Sequence, residues 1–166
     1  MKLSFEEMAT IGGIFFFELL PVSGWCAEHR GAKLSEPIDL LKAIYLIDLE
    51  HVSKYWDSWE NFEAFILDIP LAEGRKLTYI NRARAQFKIF MLGREEPGSF
   101  VSLAPPSLQV QEIVYAAQQM AASRSGDHVP PRSCDLLFCI CQQNESLSEA
   151  LQKSGLQLDR LVSDVT

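Results

Sequence analysis

The stretch SEPIDLLKAI, residues 35–44, recurs in altered form as PRSCDLLFCI at residues 131–140. Both contain Asp-Leu-Leu, followed three positions later by an isoleucine. Because the chain is 48% hydrophobic, so short a match carries weight only if its surroundings repeat as well. When the chain is shifted by the 96 residues that separate Asp39 from Asp135, apolar residues keep falling on apolar residues well beyond the motif. These pairs are Leu40 and Leu136, Leu41 and Leu137, Ile44 and Ile140, Phe62 and Leu158, and Ile66 and Val162. The continued agreement predicts an internal duplication.

The second half of the chain reads as a series of helices. Apolar residues spaced by three and four predict one buried face of a long helix, at Val110, Ile113, Val114, Ala117 and Met120. A loop closed by two prolines follows, and then a short apolar helix over about residues 132–141. Ser146 and Glu149 form a capping-box signature for a third helix, and Gly155 is placed to end it before a fourth.

The first half repeats this plan with larger side chains. In HVSKYWDSWENFEAFI, residues 51–66, apolar and aromatic side chains recur at helical spacing. The stripe consists of Val52, Tyr55 or Trp56, Trp59, Phe62 and Ile66. Aromatic residues at this spacing are typical of a core, and a ligand platform is the alternative.

These patterns predict an all-α protein built as one domain. It comprises two tandem, pseudo-symmetric four-helix repeats, the first over about residues 4–70 and the second over 107–166. Residues 71–106 form a linker with an extra helix and a junction rich in glycine and proline. A chain of 166 residues is long enough for such a unit to bury a core.

Bulk composition restricts the possible partners and compartments. With 15 basic and 22 acidic residues the net charge is −7, which repels a phosphate backbone and disfavours nucleic acid. Glutamates precede and interrupt the apolar run 11–20, so we interpret it as a buried helix rather than a signal or a membrane span. The four cysteines show no disulfide-framework pattern, and we expect a cytoplasmic protein.

EPIDLLKAI and SLSEALQKSGLQLDRLVSDV carry a family resemblance. The first resembles the second-helix segment, and the second resembles the repeat ending, of the N-terminal domain of the Clp/Hsp100 AAA+ unfoldases. That domain is all-helical and consists of two tandem repeats, so the resemblance implies this fold and a non-catalytic protein- or peptide-binding role. It covers residues 107–166 and, in the first repeat, mainly 27–66. The implied partner is a protein or peptide, with a Clp ATPase or protease subunit as a candidate.

The chain also departs from that family. Asp39 and Asp135 stand where the family commonly has histidine, and Ile38 and Cys134 replace its usual glutamate. In some members that glutamate pair receives phosphorylated arginine, so the resemblance implies loss of this ligand here. No GxxxxGK[ST] sequence occurs in the 166 residues, so we expect no ATPase activity. We interpret the acidic helix starts and the leucine pairs as structural signatures of the repeats: Asp39, Leu40, Leu41, Asp135, Leu136 and Leu137.

A small cysteine- or metal-dependent enzyme is the alternative function. Cys26 and His29, three residues apart, would share a helical face, but no third group to orient them is identifiable. Cys134, Cys139 and Cys141, with His128, are the residue types of a zinc site. Residues two apart on a helix point in different directions, however, so we expect buried thiols, no metal and no cofactor.

Basic residues are concentrated in the predicted linker. They are Arg75, Lys76, Arg82, Arg84, Lys88 and Arg94. A solvated helix face is one interpretation. In an acidic chain the same concentration also indicates a docking surface for an acidic partner, formed by Arg75, Lys76, Arg82, Arg84 and Lys88.

Reversing the charge of Arg82, Arg84 and Lys88 to glutamate tests the docking interpretation. Exposed ion pairs contribute only about 0–1 kcal/mol, so the melting temperature should hardly change. Association with an acidic partner should slow, because steering is lost, and the association rate of the parent should fall as salt rises. Stopped-flow association at several salt concentrations measures this. An unchanged rate in the folded variant would identify a solvated helix face.

Overall fold

The computed structural model of the chain describes residues 19–28, 30–58, 60–61, 104–126 and 129–166, and of residues 46, 47, 49 and 50 only the backbone. Helix α1 covers residues 19–28, α2 Pro37–Val52, α3 Leu108–Ser125, α4 Ser133–Gln143, α5 Glu145–Lys153 and α6 Leu158–Val165. Within these ranges extended pairing is limited to two isolated bridges, which confirms the predicted all-α class. None of the described helices combines the length and the apolar character needed to cross a membrane.

Side-chain oxygens of the N-cap residues cap the starts of α3 and α5. Ser107 Oγ accepts from the backbone N–H of Val110 at 3.2 Å and opens α3. Asn144 Oδ1 accepts from the N–H of Leu147 at 3.1 Å and opens α5. The predicted cap at Ser146 is therefore wrong by two residues, because Asn144 is itself a favoured N-cap and precedes it. Gly155 follows the end of α5 with φ 107°, a left-handed conformation that glycine adopts readily.

The predicted helical stripe of the first half is interrupted. Helix α2 ends at Val52, a 3₁₀ turn covers Ser53–Tyr55, and Trp56 is extended with φ −120° and ψ 141°. The cause is tertiary, since Trp56 pairs with Leu156 in an antiparallel bridge that a continuous helix would prevent. Val52, Tyr55 and Trp56 are nevertheless buried, as expected of core residues. The rest of the stripe, Trp59, Phe62 and Ile66, lies outside the described residues.

Helix α4 is the central element of the described core. It packs against α2, α3, α5 and α6. Leu136 and Leu137 on α4 have no exposed surface, and neither have Leu40 and Leu41 on α2. Apolar residues of α2, α3, α4, α5 and α6 therefore belong to one buried cluster that contains these two leucine pairs.

Polar contacts join the 3₁₀ turn to the C-terminal helices. Tyr55 Oη donates to Asp164 at 2.7 Å, and Trp56 Nε1 donates to Ser154 Oγ at 3.1 Å. The N–H of Gln157 donates to the carbonyl of Tyr55 at 2.7 Å. These bonds hold the 3₁₀ turn and Trp56 against α6 and the turn between α5 and α6.

A further bond lies at a kink in α2. Asp48 leaves helical geometry there, with φ −134° and ψ 33°. Its carboxylate accepts from Ser133 Oγ at the start of α4 and also contacts His51 Nδ1. The kink is therefore tied directly to the central helix.

Truncation of the buried leucines tests the central core. Leu41→Ala and Leu137→Ala should each lower the free energy of unfolding by about 2–5 kcal/mol, because a cavity replaces a fully buried side chain. Leu108→Ala is the matched control, since Leu108 is 55% exposed, and its effect should stay within about 0.5 kcal/mol. Denaturant unfolding measures all three, and equal midpoints for parent and core variants would contradict the packing.

Candidate interaction site

Asp39, predicted as a structural signature, lies at the start of α2 with no exposed surface. Arg30 Nε and Nη2 donate to its two oxygens at 2.8 and 2.6 Å. The backbone N–H of Glu36 donates to the same carboxylate at 2.8 Å. The carboxylate thus caps α2 and binds the turn after α1 to it through a bidentate pair.

Asp135, the predicted counterpart, has the same set of partners at the start of α4. Arg124 Nη1 and Nη2 donate to its two oxygens, both at 2.9 Å. The N–H of Arg132 donates to it at 2.8 Å, and Asp135 also has no exposed surface. We call these two arrangements the Arg30–Asp39 clamp and the Arg124–Asp135 clamp.

The Arg124–Asp135 clamp keeps a buried carboxylate ionised. Burial alone would raise the pKa of Asp135, but hydrogen bonds from Arg124 and from the Arg132 N–H, with the charges of both arginines, bring it below 3.8. The hydrogen bond to Asp135 raises the pKa of Arg124 in turn. A carboxyl pKa that is lower in the folded state stabilises the fold above pH 3.8, and this contribution is lost as the pH falls through the lowered value.

The clamps explain why the signature residues cannot touch a partner. Both carboxylates are committed to internal donors, and the leucine pairs that follow them are fully buried. The signature residues therefore offer no surface to another molecule.

Exposed apolar side chains lie where residues from the two halves meet. The N–H of Ser35 donates to the carbonyl of Pro105 at 2.8 Å, and the N–H of Ser107 donates to the carbonyl of Ser35 at 2.9 Å. Beside this parallel bridge Leu34 is 44% exposed and Leu108 is 55% exposed, and Pro105 is exposed as well. We call Leu34, Pro105 and Leu108 the bridge surface. It presents apolar groups on backbone that hydrogen bonds hold in place.

The cysteines of the described chain are all buried free thiols. Burial raises the pKa of Cys26 and of Cys139 to about 12, and that of Cys141 to about 11. The pKa of Cys134 is raised by the same cause. In the folded state these thiols are therefore protonated and poor nucleophiles.

No cluster of three or more metal-binding side chains occurs among the described residues. The partners that the sequence offered to the thiols, His29 and His128, lie outside them. So do the predicted docking residues Arg75, Lys76, Arg82, Arg84 and Lys88.

No family model, no curated protein and no solved structure matches this chain.

Two features of the site escaped the sequence analysis. The arginine partners of the buried acids went unnoticed, although an arginine stands nine residues before Asp39 and eleven before Asp135. The bridge surface left no pattern, because Leu34 and Leu108 are 74 positions apart and only the backbone pairing brings their loops together.

Removal of one arginine tests the clamps. Arg124→Ala should lower the free energy of unfolding by about 3–5 kcal/mol, because the buried Asp135 loses its bidentate partner and keeps only the Arg132 N–H and the more distant Arg132 guanidinium. Arg160→Ala is the control, since Arg160 pairs at 2.8 Å with the exposed Asp57 and such pairs contribute about 0–1 kcal/mol. Chemical denaturation at neutral pH measures both, and equal losses would show that the clamp contributes no more than a surface pair.

Proposed function

We propose that this chain is a non-catalytic protein- or peptide-binding module built on the plan of the Clp/Hsp100 N-terminal domain. Two pseudo-symmetric four-helix repeats pack as one unit, and a partner docks where they meet. The observation that carries the proposal is the bridge surface, in which two exposed leucines flank the hydrogen-bonded loops of the two halves.

Recurrence of the clamp supports the repeat. Asp39 and Asp135 are 96 residues apart, whereas Arg30 and Arg124 are 94 apart, so the two loops differ by two residues. The preceding helices then align with an offset of 94, and several buried positions coincide. The agreeing pairs are Leu19 and Ile113, Leu20 and Val114, Ser23 and Ala117, and Ala27 and Ala121. The antiparallel bridge between Trp56 and Leu156 is the contact expected of two segments related by a local two-fold axis.

The position of the exposed leucines supports binding. Single apolar side chains on a surface are ordinary, but apolar groups gathered at one place are typical of interaction sites. The bridge fixes their backbone, so little conformational entropy is lost on binding. This favours a partner that offers apolar side chains, as an unfolded peptide or a docking segment does.

Protonated thiols favour binding over catalysis. A cysteine nucleophile needs a lowered pKa and an orienting base, and every described cysteine has a raised pKa. The net charge of −7 argues against nucleic acid, and a Clp ATPase or protease subunit is the candidate protein partner.

A pair of glutamates in the bridge surface tests the proposal. The double variant Leu34→Glu, Leu108→Glu should lose capture of the partner, because two charges would be desolvated on binding. In the first measurement, the immobilised chain captures proteins from a native lysate, and quantitative mass spectrometry identifies and counts them. Titration of the purified Clp subunit, if captured, provides the second.

The matched control is Val129→Glu, Val162→Glu. It adds the same charge at two other exposed apolar residues, 36% and 37% exposed. A Clp subunit retained by this control and lost by the bridge variant supports the proposal. Identical capture profiles for both variants and the parent would exclude the bridge surface as the docking site.

A further inference from the structure

The first half buries an amine that has no hydrogen-bond partner among the described residues. Lys42 lies on α2, one turn after Asp39, and is only 2% exposed. Among the described residues no acceptor lies within hydrogen-bonding distance of its Nζ. Asp39 is already occupied by Arg30 and by the Glu36 N–H. An unsatisfied buried amine opposes the closed packing of the helices around it.

Cys26 lies on α1, the helix that precedes α2 in the hairpin. Arg30 and Asp39 are joined at 2.6 Å across the turn that connects α1 to α2. One helical turn back from Arg30 lies Cys26, and one turn forward from Asp39 lies Lys42, so the connected helices bring the two side chains into one layer. Cys26 is 3% exposed. The two groups also interact electrostatically.

We call the structure in which α1 and α2 pack together the closed state. In this state the Cys26 thiol is unreactive. Burial raises the pKa of Cys26 to about 12 and lowers the pKa of Lys42 from 10.5. Opening of the hairpin admits water to both groups. The amine then regains its ordinary basicity, and a neighbouring ammonium favours the thiolate, which is the nucleophilic form.

We propose that Cys26 is the reactive thiol of this chain, a modification site for small soft electrophiles that is uncovered when the α1–α2 hairpin opens locally. Lys42 promotes the opening, because its amine is unsatisfied in the closed state, and favours the thiolate in the open state. In the reaction the sulfur forms a bond to the electrophilic carbon, the leaving group departs with its electron pair, and water takes the thiol proton. The inference does not rest on the proposed binding function.

The other cysteines lack this combination. Cys139 has no exposed surface, its Sγ contacts Met120 Sδ at 3.4 Å, and the charges near it belong to Asp135 and Cys141. Cys134 and Cys141 lie on the same central helix α4, which packs on four other helices. We therefore expect Cys139 to report the opening of the core as a whole.

The pH dependence follows from the groups around Lys42. Among the described residues these are Cys26 and Arg30, from α1 and the turn after it, and Asp39 on α2. Because the amine pKa is lower in the closed state, protonation favours opening at every pH below 10.5. The contribution of Lys42 to opening should therefore weaken as the pH rises from its lowered pKa towards 10.5, whereas ionisation of Cys26, whose pKa burial raises from 9.0, favours opening above pH 9.0.

Native-state alkylation of the whole chain tests the inference. Iodoacetamide is the probe, and peptide mass spectrometry gives the labelling rate of each cysteine. In the parent, Cys26 should react faster than Cys139. Lys42→Met should slow Cys26 about tenfold, equivalent to about 1.4 kcal/mol, because an apolar side chain removes the unsatisfied amine. Lys153→Met removes an exposed lysine and should change neither rate.

The pH profiles of the parent and of Lys42→Met provide a second measurement. Dividing the Cys26 rate by that of an unstructured peptide with the same flanking residues leaves the frequency of opening. The ratio of this quotient in the parent to that in Lys42→Met should fall as the pH rises towards 10.5, because ionisation of Cys26 contributes to both quotients. Equal rates for Cys26 and Cys139, or a Cys26 rate that Lys42→Met leaves unchanged, would overturn the proposal. A Cys26 rate equal to that of the peptide would also overturn the proposal, because the thiol would then be accessible without any opening of the hairpin.

Discussion

A carboxylate without exposed surface needs donors that match its oxygens, and this chain meets that requirement twice. Asp39 and Asp135 each receive a two-pronged arginine and a backbone N–H. Each clamp fixes the start of one helix and the end of the segment before it. Because Asp135 opens α4, the helix on which α2, α3, α5 and α6 pack, the Arg124–Asp135 clamp orients the element that most of the described core depends on.

The clamps also leave the repeated motif without exposed surface. Its acidic residues cap helices and its leucines lie in the core, so the exposed apolar side chains discussed above lie outside the motif, beside the bridge. The bridge between Ser35 and Pro106 turns those loops into a fixed surface, because two backbone hydrogen bonds hold them together. Leu34 and Leu108 stand beside it with apolar area that nothing in the described chain covers. Interior charge pairing and the exposed apolar area thus belong to different residues.

Lys42 shows what happens to a buried charge that lacks such a match. It lies one turn from a fully paired carboxylate, yet its amine has no acceptor among the described residues. Helix α2 therefore has a capped start at Asp39 and, one turn later, an amine that lacks a hydrogen-bond acceptor among the described residues. Local stability varies within folded proteins, and an unsatisfied buried group lowers the free energy of local opening of the segment nearest to it. In this chain that segment carries Cys26.

The sequence by itself determined the helical class, the core positions of the leucine pairs, the acidic helix starts and the glycine that ends α5. These follow from local chemistry, that is, from apolar periodicity, capping and the conformational freedom of glycine. Only the tertiary structure decided which arginine reaches each acid, where α2 stops, and that Leu34 and Leu108 flank one bridge. Those outcomes depend on contacts between distant segments, as when Trp56 leaves the helical pattern to pair with Leu156. Periodicity within a segment carries no record of such a contact, because its energy comes from the other segment.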